Sequence, residues 1–168
     1  MLHKFRLKKR LFKSKTEILS GEVNVGYFKS NDWKGSLKGE LNNRQFIFKN
    51  KGFLKPVTQI IDVINDRQIG EISYSTWKSK ANITLMDKSF TWKYPAFLST
   101  KWVISDNVGT EINFNGSSSK GEIEANCDSD IEPLVLAGIY ISNYYMQVIF
   151  ISLIAVFVSI MSMTISRH

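Results

Sequence analysis

The sequence predicts a mainly β domain, an antiparallel sandwich or barrel, that ends in one long hydrophobic helix. Two observations indicate the sheet. Apolar and polar residues alternate at period two through residues 20–127, and turn signals such as "NKG" (50–52) and "NGSSSKG" (115–121) separate the alternating runs. A third observation indicates the helix, because residues 133–165 carry no charged side chain.

The chain opens with a basic segment. Residues 1–16 contain seven lysines and arginines and no acid, which equals the whole +7 net charge of the 168-residue chain. They are Lys4, Arg6, Lys8, Lys9, Arg10, Lys13 and Lys15. Basic residues near a bilayer attract anionic head groups by about 1 kcal/mol each. We therefore expect residues 1–18 to form a basic N-terminal arm that binds a membrane surface. A solvated leader is the alternative, and nucleic acid binding is not expected.

Behind this arm, residues 19–145 have the pattern of one β domain. The alternation is clear in "SFTWKY" (89–94), where Phe90, Trp92 and Tyr94 are separated by polar residues. Such alternation is typical of antiparallel strands that bury one face against a core and leave the other in water.

One strand pair is duplicated in the sequence. The stretch "IIDVINDRQIGEISY" (60–74) matches "TKWVISDNVGTEINF" (100–114) at an offset of 40, which places Asp66 on Asp106. Each copy has the pattern of a strand, a turn that contains aspartate, and a second strand. We interpret the two aspartates as turn formers that bond their own backbone, rather than as ligands.

The apolar tail is longer than a bilayer requires. As one helix, residues 133–165 would extend about 50 Å, whereas about 20 residues span a bilayer. The tail divides after Tyr145, because 133–145 contains tyrosines and an asparagine, while 146–168 is largely aliphatic up to Ile165. We expect the second part to be a hydrophobic extension and a candidate transmembrane anchor.

A helix that is apolar on every face must be surrounded on every face, either by lipid or by a closed barrel threaded by the helix. The residues expected to face the barrel core or the membrane are Leu134, Leu136, Ile139, Ile149, Leu153, Val156, Phe157 and Ile160.

These features together resemble the tubby C-terminal-like superfamily, of the phospholipid scramblase and LURP-one-related type. The likeness is carried by "IIDVINDRQIGEISY", "KWVISDNVGTEINF" and "GEIEANCDSDIEPLVLAGIYI", within residues 40–145. The resemblance implies an antiparallel barrel-like sheet of about ten to twelve strands around a central hydrophobic helix that begins near Ile131. It also implies a non-catalytic role linked to lipids or membranes. The apolar residues beyond Tyr145 depart from the pattern of the family.

No catalytic constellation is recognisable in the sequence, and no cofactor is predicted. The two histidines are His3 and His168, and Cys127 lies on the apolar face of a predicted strand, which indicates a buried and inert thiol. Asp128 and Asp130 are weak candidates for a calcium site, because calcium binds several carboxylate oxygens. We prefer the alternative that these acids cap the helix, and predict no metal site.

The sequence therefore predicts a non-catalytic, tubby-like domain that is associated with a membrane and binds lipids. A protein partner is an open alternative, and no small-molecule substrate is predicted. If the tail spans the bilayer, the barrel and arm are expected on the cytoplasmic side, where basic residues concentrate. The alternative is a soluble cytoplasmic ligand- or protein-binding module whose whole C-terminal helix is buried core.

Overall fold

The computed structural model describes residues 1–9, 15–31, 36–51, 56–75, 79–95, 99–116, 120–128 and 130–165. These residues form twelve antiparallel strands, closed into a barrel, and one helix. The strands are β1 (Leu2–Lys9), β2 (Lys15–Ser20), β3 (Val23–Asn31), β4 (Ser36–Leu41), β5 (Arg44–Lys51), β6 (Val57–Asp62), β7 (Arg67–Ser75), β8 (Lys80–Leu85), β9 (Lys88–Lys93), β10 (Trp102–Ser105), β11 (Glu111–Gly116) and β12 (Lys120–Asn126). The helix is α1 (Ile131–Ile165). The predicted antiparallel barrel around a C-terminal hydrophobic helix is confirmed.

The N-terminal segment closes the barrel. Each strand pairs with the next, and β1 pairs with β12 in a register that runs from Leu2 opposite Asn126 to Lys8 opposite Lys120. The sequence analysis predicted an N-terminal arm that ends at residue 18, whereas in the structure β1 and β2 are part of the barrel wall. The reason is the period-two alternation within the basic run, which turns Phe5 inward, where it is 5 % exposed, while the neighbouring charges face outward.

The alternating strand directions give the barrel two distinct ends. We call the end at which α1 begins the bottom; the β2–β3, β4–β5, β6–β7, β8–β9 and β10–β11 connections lie there. We call the opposite end, through which α1 leaves, the top; the β1–β2, β3–β4, β5–β6, β7–β8, β9–β10 and β11–β12 connections lie there.

The first part of α1 fills the barrel. Its fully buried residues are Leu134, Val135, Leu136, Ala137 and Ile141. They pack within a wall whose fully buried side chains include Ile18, Leu41, Phe46, Phe48, Ile60, Ile72, Ile83, Trp92, Ile104 and Ile112. Because a barrel of more than about eight strands cannot be filled by its own side chains, the helix supplies the missing core.

Two glycines set how closely the helix and the wall approach. A Cβ atom at Gly138 would lie 2.3 Å from the ring of Trp102, and a Cβ atom at Gly39 of β4 would lie 2.8 Å from the side chain of Leu136. Both contacts are shorter than carbon atoms tolerate. At Gly138 the rigid, buried ring of Trp102 leaves no room for a side chain, whereas at Gly39 the end of the Leu136 side chain would have to move.

The bottom turns are held by aspartate side chains. Asp106 Oδ1 accepts hydrogen bonds from the backbone N–H groups of Val108, Gly109 and Thr110 at 2.8–2.9 Å. The turn-forming role predicted for Asp106 is confirmed. In the other hairpin Asp62, and not Asp66, does this work, since Asp62 Oδ1 accepts from the N–H groups two and three residues ahead. The aspartate that holds the first turn is therefore Asp62, four residues before the Asp66 that the sequence match placed on Asp106.

Replacing Gly138 by valine should destabilise the protein, even though removing a glycine from a helix interior usually stabilises it by about 1 kcal/mol. The new side chain would overlap the ring of Trp102, and overpacking a core costs roughly 1–3 kcal/mol. Thermal unfolding in mild detergent, followed by near-ultraviolet circular dichroism, should show a lower midpoint. The control is Ala155→Val, in the exposed part of the same helix. An equal fall in both variants would contradict the packing explanation.

Candidate functional site

The helix changes from buried to exposed between two consecutive residues. Tyr145 is 3 % exposed and Met146 is 49 % exposed. The Tyr145 ring stacks on Trp92 with centroids 5.3 Å apart, and its hydroxyl donates to the backbone carbonyls of Ser75, at 3.3 Å, and Lys80. These carbonyls lie at the top ends of β7 and β8. Tyr145 therefore marks the level at which α1 leaves the barrel.

A layer of hydroxyl groups lies below this level, inside the barrel. The Thr58 hydroxyl lies 2.7 Å from the Tyr74 hydroxyl and donates to the Tyr140 hydroxyl at 3.2 Å. Tyr94 and Ser142 form a second pair at 3.4 Å. Burial raises the pKa of Tyr74 and of Tyr140 above the ordinary tyrosine value, so both stay neutral and hydrogen-bonded. Tyr140 and Tyr145 of α1 thus find hydrogen-bond partners within the wall, which favours one rotation of the helix.

Above Tyr145, α1 continues for twenty residues as a bare apolar rod. From Phe150 to Met163 its large side chains are about half or more exposed, as at Phe150 (64 %) and Phe157 (65 %), while Val148 and Ile149 are partly buried. The segment Met146–Ile165 would extend about 30 Å at 1.5 Å per residue. The helix is long and apolar enough to cross a membrane, with a mean hydropathy of 2.3 in a window that has no residue buried in this chain.

The predicted helix positions divide between these two parts. Leu134, Leu136 and Ile139 are buried in the barrel. Ile149 is half-buried, and Leu153, Val156, Phe157 and Ile160 are exposed on the rod. The change of surroundings falls at the same residue as the change in composition on which the sequence division was based.

The serines of the rod satisfy their own hydroxyl groups. Ser152, Ser159 and Ser162 each donate to the backbone carbonyl four residues earlier, at 2.6–2.9 Å. A hydroxyl that is bonded in this way needs no water, and such bonds suit a helix surrounded by hydrocarbon.

Positive charge concentrates around the top, where the rod emerges. The region counted here is the three residues at the top end of each strand together with the described residues of the top connections. It contains eleven lysines and two acidic residues. The lysines are Lys8, Lys9, Lys15, Lys29, Lys38, Lys49, Lys51, Lys80, Lys93, Lys101 and Lys120, and the acids are Glu17 and Glu122. Ten of these lysines have described side chains, and all ten are exposed.

Several of the top lysines lie directly opposite one another on neighbouring strands. Lys29 of β3 has Lys15 of β2 on one side and Lys38 of β4 on the other. Lys80 of β8 lies opposite Lys93 of β9. Lys15 Nζ lies over the ring of Tyr27, 4.1 Å from its centroid. Like charges in cross-strand positions nevertheless destabilise a sheet, so the pairs that Lys29 makes with Lys38 and Lys80 with Lys93 are not explained by the needs of the fold.

Negative charge concentrates at the bottom. The corresponding region of the bottom is the three residues at the bottom end of each strand, the turns there and the start of α1. Its described residues include eleven acids and four basic side chains. The acids are Glu22, Glu40, Asp62, Asp66, Asp87, Asp106, Glu111, Glu124, Asp128, Asp130 and Glu132, and the basic residues are Lys4, Arg44, Arg67 and Lys88. The barrel is therefore electrically polar along the axis of α1.

The two weak metal candidates are each engaged with a cation at this end. Asp128 lies 3.4 Å from the N-terminal ammonium group, and Asp130 lies 3.3 Å from Lys88 Nζ. Among the described residues, no group of three or more histidine, cysteine, aspartate or glutamate side chains is arranged to hold a metal ion. Glu132, in the first turn of α1, pairs with Arg44 at 3.1 Å and so ties the helix start to β5.

The structure divides the lysines and arginines predicted to bind a membrane between the two ends. Lys8 and Lys15 lie at the top and are exposed, and Lys9 is the last residue of β1 at the same end. Lys4 pairs with Glu124 near the bottom, and Arg6 reaches down to Glu22 and the Gly21 carbonyl. Arg10 and Lys13 lie outside the described residues.

Sequence reasoning missed the lysines of β3, β4, β5, β8, β9, β12 and the β9–β10 connection. A signal for them exists, because in an up-and-down barrel every second connection lies at the same end. Lysines near alternate connections therefore contribute to the positive charge of one end of the barrel, although they are far apart in sequence.

The remaining candidates for chemistry do not converge within the described chain. Cys127 is buried, as predicted, and burial raises the pKa of its thiol, which disfavours the reactive thiolate. The ring of His3 stacks with that of Phe5 on β1 at a centroid distance of 6.4 Å. His168 lies outside the described residues.

A small cavity opens at the top, between α1 and the wall. It has a volume of about 80 Å³, and its lining includes Tyr94, Trp102, Ile139, Ser142 and Met146. Pockets for small-molecule ligands usually measure roughly 300–1,000 Å³, so this one has room for a few water molecules or methylene groups.

Comparison of the chain with protein-family models, with curated proteins and with solved structures found no match. The likeness to the tubby-like superfamily accordingly rests on the hairpin and helix motifs of the sequence.

Replacing Tyr145 by phenylalanine should lower the free energy of unfolding by about 1–2 kcal/mol. The change removes the hydroxyl that donates to the carbonyls of Ser75 and Lys80 and leaves the stacked ring in place. Chemical denaturation in mild detergent would measure the loss. Tyr144→Phe, which leaves the hydrogen bonds of Tyr145 intact, is the matched control. An equal loss of stability in that variant would argue against a specific role of Tyr145.

The Tyr145 hydroxyl should also make the free energy of unfolding decrease at alkaline pH. Burial raises the pKa of Tyr145 to about 12, from an ordinary value near 10. The folded state therefore keeps this proton longer than the unfolded state. Its stabilising contribution should be complete below pH about 10 and disappear as the pH rises to about 12. The difference in unfolding midpoint between the wild type and Tyr145→Phe should shrink over that window, and a difference that grows would contradict the assignment.

Proposed function

We propose that this protein is a non-catalytic, tubby-like barrel domain held at a membrane by residues 146–165 of α1, which cross the bilayer. The observation that carries the proposal is the exposed apolar rod above Tyr145. Apolar side chains exposed around a whole helix are unfavourable in water and favourable in hydrocarbon. The length of the rod, about 30 Å, corresponds to the thickness of a bilayer core.

The charge distribution supports one orientation of this anchor. The top lysines surround the point at which α1 leaves the barrel, so they flank the N-terminal side of the spanning segment. The cytoplasmic leaflet carries the negative surface potential that attracts basic groups close to a membrane. We therefore place the barrel on the cytoplasmic side of the membrane, with lipid as its main partner.

The alternative is a soluble module whose whole helix is core. In this chain the described side chains from Phe150 to Met163 are exposed, and Val148 and Ile149 just above the barrel are partly buried. The soluble alternative would therefore require a second protein that encloses the rod on all sides. That requirement distinguishes the two proposals by experiment.

Placing two charges at the middle of the rod should release the protein from membranes. Each arginine near the centre of a spanning helix costs roughly 2.5–3.5 kcal/mol of insertion. We expect the double variant Val156→Arg, Phe157→Arg to move from the carbonate-resistant membrane fraction to the soluble or aggregated fraction. The barrel contacts neither position, since both side chains are more than half exposed, so its unfolding midpoint should be unchanged.

The matched control is Val156→Leu, Phe157→Leu, which keeps the segment apolar and should stay in membranes. A chain that ends at Tyr145 should leave the membrane fraction and still unfold cooperatively. If the full chain is soluble and the shortened chain aggregates, residues 146–165 are core or a protein interface, and the proposed anchor is wrong.

A further inference from the structure

The lysines of the top form a ring around the axis of α1. Because α1 leaves the barrel through the top, a bilayer crossed by the rod would face the strand ends that carry these lysines. Lys51, Lys80, Lys93 and Lys120 are the terminal residues of their strands, and Lys101 lies in the adjoining connection. These positions are the nearest parts of the wall to such a bilayer, and their long, exposed side chains can turn upward toward it.

The cross-strand lysine clusters indicate that this ring has a counter-charge outside the chain. Lys29 between Lys15 and Lys38, and Lys80 opposite Lys93, repel one another in the isolated barrel. The corresponding part of β6, Val57 to Gln59, shows that uncharged residues are compatible with the same position in the wall. A layer of negative charge against the top would turn the repulsion into attraction.

A tyrosine next to the ring agrees with an interface at this level. Tyr144 is half-buried where the apolar rod begins, and tyrosine is enriched at the boundary between hydrocarbon and head groups. The head-group layer would then lie directly against the strand ends of the top.

We propose that the top of the barrel is a docking surface for anionic lipid head groups of the leaflet that α1 enters. This inference rests on the proposed membrane anchor and extends it from the rod to the barrel. A lipid surface is favoured over nucleic acid by continuity, since in the described part of the chain the apolar rod begins at the end of the barrel that carries the basic ring. The bottom, which holds most of the acids, faces away from the same surface.

The test uses the full chain reconstituted in phosphatidylcholine liposomes, with and without phosphatidylserine. Insertion is measured first, by carbonate-resistant co-flotation. The preference of the inserted protein for spin-labelled phosphatidylserine over spin-labelled phosphatidylcholine is then measured by electron paramagnetic resonance. We expect a preference on the order of fivefold at low salt, the factor that one basic residue near a bilayer contributes. It should approach equality in about 1 M salt, where the Debye length falls to about 3 Å.

Two variants, each of which loses four positive charges, distinguish an effect of charge position from an effect of net charge. The top variant is Lys29→Gln, Lys38→Gln, Lys80→Gln, Lys93→Gln, and it should lose at least half of the preference. The bottom variant is Lys4→Gln, Arg6→Gln, Arg67→Gln, Lys88→Gln, and it should keep the preference. The unfolding midpoint of the top variant in neutral lipid should be equal to that of the wild type or higher, because two repulsive clusters are relieved.

The possible results distinguish a failure of the proposed membrane anchor from a failure of the proposed docking surface. If the chain does not insert into either kind of liposome, the anchor is wrong and the docking surface falls with it. If it inserts but shows no lipid preference, or if both variants lose the preference equally, the docking surface alone is wrong. If the inserted protein in neutral lipid binds a DNA duplex, and duplex competes phosphatidylserine away, the top is a nucleic acid surface and the lipid assignment is overturned.

Discussion

The filling of the barrel by α1 is the interaction on which the rest of the structure depends. Twelve strands enclose more space than their inward side chains can fill, and the buried residues from Leu134 to Ile141 occupy the remainder. The wall is closed by the pairing of β1 with β12, so the first and the last strands must also meet. Core and closure therefore both require contacts between distant parts of the chain, and a barrel without the helix would have an unfilled interior.

Much of this fold could be predicted because the relevant signals are local. Period-two alternation shows in any short window, as in Phe90, Trp92 and Tyr94, and the uncharged run after Pro133 shows in any hydropathy profile. Closure by β1 could not be recognised with the same ease. The basic residues dominate its composition and conceal the alternation of Phe5 and Leu7 with the charges between them. A strand whose outer face is wholly charged resembles a solvated arm until its partner is known.

The site was only partly predictable, for a different physical reason. The boundary at Tyr145 coincides with a change in composition, so it can be read from the sequence. The basic ring cannot, because each lysine alone resembles an ordinary surface residue, and only alternating strand directions bring Lys29, Lys80 and Lys101 to one end. Likewise, Lys4 is close in sequence to Lys8, yet the strand carries the two charges toward opposite ends.

The continuity of α1 couples the barrel to whatever surrounds the rod. A single helix runs from Ile131 to Ile165, and its first part is held by the ion pair of Glu132 with Arg44 and by the Tyr145 hydroxyl. The rod is therefore a continuation of the helix that fills the barrel, and no linker separates them. In a bilayer this arrangement would hold the barrel upright, with the basic ring against the head groups and the acidic bottom at the greatest distance from them. The apolar helix and the charge distribution favour the same orientation, whereas either feature alone would leave the barrel free to tilt or to lie on its side.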